Sequence, residues 1–228
     1  MKIYSEEDCA AYMDEIVATH DLLLQAWRTS PDMLEHVASI SGSATIDYPT
    51  IFDAGCGTGQ FLHIYKMLNP SAACIGMNLF KCQLKLCKDY EIVLVQGDIR
   101  TDISEVYDGK CDKVFCHYTL GHFDDEEAAK LVKRLARMLR PKGELVMWDI
   151  MQKNVAVDEI LGYRLRTSAR IHRFLNEAGL ASQGKLLKAS LASHFDQITD
   201  AETVKSFAFD TLPMLHIGTK PENNDGRG

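Results

Sequence analysis

No apolar run in the 228 residues approaches the roughly 20 needed for a helix to cross a bilayer. That absence argues against a helical membrane span. Seven cysteines are present, an odd number, yet no two are spaced C-x-x-C, so neither a disulfide framework nor a zinc site is indicated. No bound metal is expected, and a reducing cytoplasm is the expected setting. Positive charge is also short: 25 Lys and Arg stand against 32 Asp and Glu, and the net charge of -7 offers no electrostatic footprint for a phosphate backbone. A small molecule, not a nucleic acid, is therefore the expected partner. The opening "MKIYSEEDCA" lacks the apolar core of a secretory signal and the Arg-rich pattern of a transit peptide. Low-complexity tracts, heptads and internal repeats are missing too.

What is present is an alternation of two periodicities. "TIFDA", "AACIGM", "EIVLVQ", "CDKVFCH" and "GELVMWDI" read as short strands separated by helical stretches, which predicts a mostly parallel sheet with helices on both faces. The clearest helix starts at Asp124, where Glu127 completes a capping box, and runs through Leu131, Val132, Leu135, Met138 and Leu139 to Pro141-Lys142-Gly143. Another, capped by Ser168, carries Ile171, Phe174, Leu175 and Ala178 and closes at Gly179. Two last strands are expected near "KLLKASL" and "MLHIGTK". Ahead of the sheet, Ile16, His20, Leu23, Leu24 and Trp27 recur at helical spacing, and Ser30-Pro31 opens a second, shorter helix. The expected organisation is an N-terminal helical cap over 1–48, a Rossmann-like domain over 49–220 and a polar tail over 221–228.

Glycine is concentrated where chemistry is expected. "IFDAGCGTGQ" places Gly55, Gly57 and Gly59 straight after an apolar pair and Asp53. A bare backbone at a strand-to-helix turn lets a ligand approach the main chain and the N–H groups of the following helix. The dinucleotide fingerprint G-x-G-x-x-G would require glycine where Gln60 stands, which disfavours a nicotinamide-dependent oxidoreductase.

The G-x-G-x-G form behind an acid resembles motif I of the class I S-adenosylmethionine-dependent methyltransferases, and the resemblance extends from Thr50 to Lys220. It implies a seven-stranded, mostly parallel sheet with an N-terminal helical lid, and S-adenosylmethionine as cofactor. The loop Gly55-Cys56-Gly57 and Gly59 would cradle the cofactor, with Asp53 anchoring its ammonium. At the end of the second strand the family commonly carries an acid for the ribose hydroxyls; this chain has Asn78. "GMNLFKCQ" is similar to the G-x-N-L-x-x-x-Q form of enzymes that methylate carbon in lipids, sterols and isoprenoids, which adds Leu79 and Gln83 to the ribose side. "VLVQGDIRT" places Asp98 where the family accepts the adenine amine, with Gly97 and Ile99 lining the base.

"CDKVFCHYTLGHFDD" resembles the fourth strand and its loop, so Cys116, His117 and Tyr118 should border the transfer chamber. His117 and His122 are the candidates for a base, although His122 equally suits packing. A carbon acceptor would leave a carbocation, for which Tyr4, Tyr12 and Trp27 of the lid offer ring faces; core packing is the competing role of Trp27. Arg164, Arg166, Arg170, His172 and Arg173 cluster in "YRLRTSARIHRF", a pattern suited to a diphosphate or to a solvated helix face. The resulting expectation is methyl transfer to a small molecule, on carbon of an isoprenoid or related natural product. O- or N-methylation of a small metabolite and a non-catalytic cofactor-binding module stay open as alternatives. Oligomeric state, including a homo-oligomer, is left open as well.

Overall fold

The computed structural model describes residues 47–85, 91–117, 119–148, 169–186 and 214–222, together with Ser5 and Glu7. Strand β1 (Thr50–Ala54) is buried at all but its first residue. Such a strand must lie inside a sheet covered on both faces, since each face presents apolar side chains. It does: β2 (Ala73–Asn78), β3 (Val93–Gln96), β4 (Cys111–His117), β5 (Leu139–Trp148), β6 (Ala181–Leu186) and β7 (Met214–Thr219) join it in one seven-stranded sheet of order β3-β2-β1-β4-β5-β7-β6. The pairs from β3 to β5 are parallel, and β7 runs antiparallel to both β5 and β6.

The order reverses between β1 and β4, so their carboxyl ends diverge to neighbours whose connections leave on opposite sides. This switch point is where open parallel sheets hold ligands. Helix α1 (Gln60–Leu68) follows β1, and the one-turn α2 (Lys81–Leu84) follows β2. Helix α3 (Asp125–Met138) lies between β4 and β5, and α4 occupies residues 169–177.

Two apolar clusters sandwich the sheet. Under α3 and α4, Leu131, Leu135, Phe174 and Leu175 pack on Phe52, Val114 and Leu145. On the α1 face, Leu62 and Tyr65 pack with Ile51, Phe115, Val146 and Leu215. Each of these side chains is 3% exposed or less, which for a large apolar group represents about 1.5–3 kcal/mol of burial.

The ends of elements follow their local chemistry. Asp124 caps α3 as expected, its carboxylate accepting from the Glu127 N–H at 2.9 Å. The other half of the box is different: the Glu127 carboxylate accepts from Arg100 instead of returning to the cap. Strand β5 starts earlier than Gly143, because Leu139 already pairs with Cys111 and the register then shifts before Lys113 meets Glu144. Pro141 is tolerated in this irregular entry, where no regular ladder asks for its missing N–H. Gly143 is required there: a Cβ on it would stand 2.9 Å from the Arg140 carbonyl oxygen and 3.0 Å from that of Cys111.

Strand β6 also differs from the expected segment. It begins at Ala181, two residues after Gly179 (φ 76°) turns the chain out of α4, and includes the first two residues of "KLLKASL". "ASQGKL" has no β-branched residue, so its pairing with β7 carried no signal in composition. The expected N-terminal helices, the Ser168 cap and residues 187–191 lie outside the described residues.

Candidate active site

At the tip of β1 the chain makes its turn mostly with main-chain bonds. The N–H groups of Gly55 and Cys56 both donate to the Met77 carbonyl, at 2.9 and 3.0 Å, and Gly59 N–H donates to Cys56 O at 2.9 Å. The turn needs φ values of 87°, 54° and 73° at Gly55, Gly57 and Gly59, a region in which side chains are strained. Gly57 differs from its neighbours because a Cβ there would meet nothing within 4 Å. Its bareness serves backbone conformation and leaves open space in front of the loop.

Asn78 at the tip of β2 ties the loop to the sheet. Its Oδ1 accepts from Gly57 N–H at 3.3 Å, while its Nδ2 donates to Gln83 Oε1 at 2.7 Å and to Phe80 O at 3.2 Å. The two amides expected on the ribose side are therefore hydrogen-bonded to each other, with the half-exposed Leu79 beside them. Gly76 is part of the same construction: a side chain on it would strike Cys56 Sγ at 2.7 Å and Leu62 Cδ1 at 2.9 Å. Cys56 and Leu62 lean across β2 through the space that this glycine leaves.

Asp53 is 3% exposed, and nothing among the described residues donates to its carboxylate. Burial without compensation pushes its pKa up to about 7. A buried carboxylate in this condition is a site for a cation. One turn away, α1 starts on Gly59, which has no side chain to cap the helix, and no acid stands in its first turn. The start of α1 thus has no side-chain cap on Gly59, and a helix start of this kind favours negative charge. The methionine end of S-adenosylmethionine carries an ammonium and a carboxylate, and the residues present fit both.

His117 stands at the carboxyl end of β4, half-buried, with its ring edge-on to Phe61 (centroids 4.7 Å apart, 81° between planes) and 5.3 Å from Phe115. Cys116 points to the opposite face and is buried in the cluster under α3. Sequence reasoning missed Thr119, which joins the two central strand tips. Its hydroxyl is 2.8 Å from His117 O and 3.3 Å from Ala54 O, and the side chain leans on Gly55. A lone threonine in a loop carries no signal of such a role. His122 is exposed at the end of a three-residue 3-10 helix, Leu120–His122.

On the far side of β2, Gly97 N–H donates to Asn78 O at 3.0 Å and Ile99 is buried. Asp98 follows, but its carboxylate is already held by Arg100, whose hydrogen bonds keep it below the usual carboxylate range. Arg170 is likewise engaged, donating to Asp125 at 2.6 Å and to Phe123 O at 3.0 Å, while Arg173 binds the other oxygen of Asp125. Tyr12, Trp27, Tyr118 and Arg166 lie outside the described residues. Among the described residues there is no cluster of His, Cys, Asp and Glu able to hold a metal, and no helix long and apolar enough to cross a membrane.

Residues 52–147 match the family described as methyltransferase domain. N-terminal Xaa-Pro-Lys N-methyltransferase 1 of Bos taurus is 32% identical over 71 residues, covering 31% of this chain and 32% of that protein. A tRNA (guanine-N(7)-)-methyltransferase of Helicobacter acinonychis is 26% identical over 108 residues, covering 42% of this chain and 27% of that protein. The chain thus spans about a third or less of these curated relatives. Among solved structures, a geranyl diphosphate methyltransferase in complex with GPP and sinefungin superposes with a TM-score of 0.60 at 14% identity, over 85% of this chain and 79% of that one. Residues 52–147 therefore resemble a methyltransferase domain, and the chain shares its Rossmann-like fold with the solved methyltransferase.

Proposed function

We propose that the protein transfers a methyl group from S-adenosylmethionine to a small-molecule acceptor, on a carbon of an isoprenoid or related lipid-like compound. The observation that carries the reading is the juxtaposition of Asp53, buried and without a donor among the described residues, with the uncapped start of α1 across an open glycine turn. When bound, this cofactor supplies a methyl group on a sulfonium, already a strong electrophile. The protein's task is then to orient the reactants and exclude water, which can lower a barrier by about 7–11 kcal/mol.

Each residue group has a part in that task. Asp53 holds the ammonium and the first N–H groups of α1 the carboxylate, while Gly57 leaves the passage between them clear. Asn78 and Gln83 face the ribose, and Asp98 with Gly97 and Ile99 faces the base. His117, steadied by Phe61, stands at the tip of β4 as the base that removes a proton from the acceptor. Tyr12 and Trp27 of the 1–48 lid, together with Tyr118 and Arg166, are assigned to the acceptor side.

The carbon acceptor is supported by the "GMNLFKCQ" form and by likeness to a structure named as a geranyl diphosphate methyltransferase. Because Arg170 is engaged by Asp125, recognition of a diphosphate would rest on Arg164 and Arg166. The second reading, N- or O-methylation, is favoured by the relatives, both named for methylation at nitrogen; His117 or the exposed His122 would then take the proton. Incubation with methyl-labelled cofactor and a panel of isoprenyl diphosphates, indoles, phenols and amines, read by mass spectrometry, tests both. Label in an isoprenyl product supports the first reading, label on an amine or phenol the second. Tight cofactor binding with label in no product would favour a non-catalytic module.

A further inference from the structure

Asp98 meets the base with most of its hydrogen-bond capacity already taken by one partner. A carboxylate offers about four lone-pair sites on its two oxygens. Arg100 alone sets three N–H donors against them, the one Nε hydrogen being shared between the two oxygens. Its main-chain N–H and its Nε lie 2.9 and 3.0 Å from Oδ1, and Nε and Nη2 lie 2.9 and 2.5 Å from Oδ2. The Asp98 main-chain N–H is engaged too, donating to Asp102 Oδ2 at 2.8 Å. The guanidinium is held from a second side, because Nη1 donates to Glu127 Oε1 at 3.2 Å and the group lies 5.8 Å from the centre of the Phe123 ring. Glu127 is free to take this role because the α3 cap uses the Asp124 carboxylate and the Glu127 main chain, not the Glu127 side chain.

We propose that Arg100 is a latch on the base subsite: its guanidinium and a ligand's exocyclic amine compete for the Asp98 carboxylate, so Arg100 sets cofactor affinity by opposing it. The proposal rests on the assignment of Asp98 to the adenine amine given above. An amine donor meets a carboxylate whose two oxygens both already accept from Arg100, and its full engagement draws the guanidinium toward Glu127. That second carboxylate limits the cost of the shift, since it already accepts from Nη1 and stays with the charge throughout. The pair is partly exposed, with side chains 30% and 21% accessible, so salt screens it and its opposition to binding is modest.

The test titrates S-adenosylhomocysteine, and an analogue whose purine lacks the 6-amino group, into the full-length protein by calorimetry. Arg100→Met removes the guanidinium and keeps the aliphatic stem. It is expected to tighten S-adenosylhomocysteine by about two- to five-fold, the range an exposed ion pair supports, and to leave the desamino analogue unchanged. The gain should shrink as ionic strength rises, and Arg100→Lys, which keeps the charge without the fork, should give a smaller gain. Weaker or unchanged binding in Arg100→Met, alongside a loss in Asp98→Asn, overturns the latch and leaves the Asp98 assignment standing. Unchanged binding in Asp98→Asn removes that assignment and the latch with it. Thermal melts of each variant separate a folding defect from these outcomes.

Discussion

A Cβ built on Gly55 would stand 2.5 Å from Thr119 Oγ1 and 3.1 Å from its Cγ2. This contact presses the glycine turn at the end of β1 against the loop that leaves β4. The switch point of the sheet is thereby closed from below by a side chain, with its mouth left open above Gly57.

Gly55→Ala should consequently destabilise the fold by about 1–3 kcal/mol from its φ of 87° and by a similar amount from the collision. Thr119→Ala removes both colliding atoms but not the backbone strain. In urea denaturation the double variant should recover part of the loss, with a coupling energy of about 1 kcal/mol or more. Strict additivity of the two substitutions would show that the contact is absent in solution.

Asp53 links stability to pH with an inverted sign for a carboxylate. Its pKa of about 7 in the folded chain lies above the ordinary 3.8, so the folded state binds the extra proton between those values. Stability contributed by this group falls as pH rises from about 4 to about 7 and stays low beyond. Asp53→Asn should flatten that dependence and raise the melting temperature of the ligand-free protein at pH 8. The measurement is a melting series from pH 4 to 8, and an unchanged slope in the variant is the contrary result.

The same carboxylate predicts proton release on cofactor binding, because an ammonium neighbour favours its ionised form. Titrations at pH 6 in two buffers of different ionisation enthalpy should give different apparent enthalpies for the native protein and equal ones for Asp53→Asn. Affinity should rise toward pH 7 and fall by about a hundredfold or more in that variant, as expected when one partner of a buried charge pair is removed.

Lys113 and Glu144 pair at 3.2 Å between β4 and β5, with side chains only 2% and 8% exposed. Burial holds the Lys113 pKa below its ordinary value, opposed by the attraction of Glu144. Lys113→Met should cost about 3–5 kcal/mol by removing the cation that faces the buried Glu144, and adding Glu144→Leu should return part of it. Urea midpoints of the single and double variants decide the matter.

At the start of α3, Asp124→Ala should cost about 1 kcal/mol, since it deprives the Glu127 N–H of its acceptor. Glu127→Ala should cost less in stability, because its side chain serves Arg100 and not the cap. Thermal melts that rank the two the other way would contradict this division.

Elements with a strong period or a defined turn chemistry are legible in the order of residues alone. β4 coincides with "CDKVFCH", and the Asp124 cap and the glycine turn stand where their residues place them. Segments whose pairing depends on a distant partner are not legible in this way. Nothing within "ASQGKL" marks it as β6, because its order comes from the ladder with β7 and from the turn at Gly179. The entry to β5 departs from expectation for the same reason: the register shift ahead of Lys113 is set by β4, not by Pro141 or Gly143.

By itself the sequence determined the alternating parallel architecture, the glycine turn behind Asp53 and the residue types at four strand tips. These are local properties, dictated by side-chain period and by which backbone angles a residue tolerates. Only the tertiary structure decided that Asp53 lacks a donor among the described residues, that Asn78 fastens Gly57 and Gln83, and that Arg100 engages both oxygens of Asp98. Hydrogen-bond capacity is allotted among groups that meet in space, and that allotment has no counterpart in the order of residues along the chain.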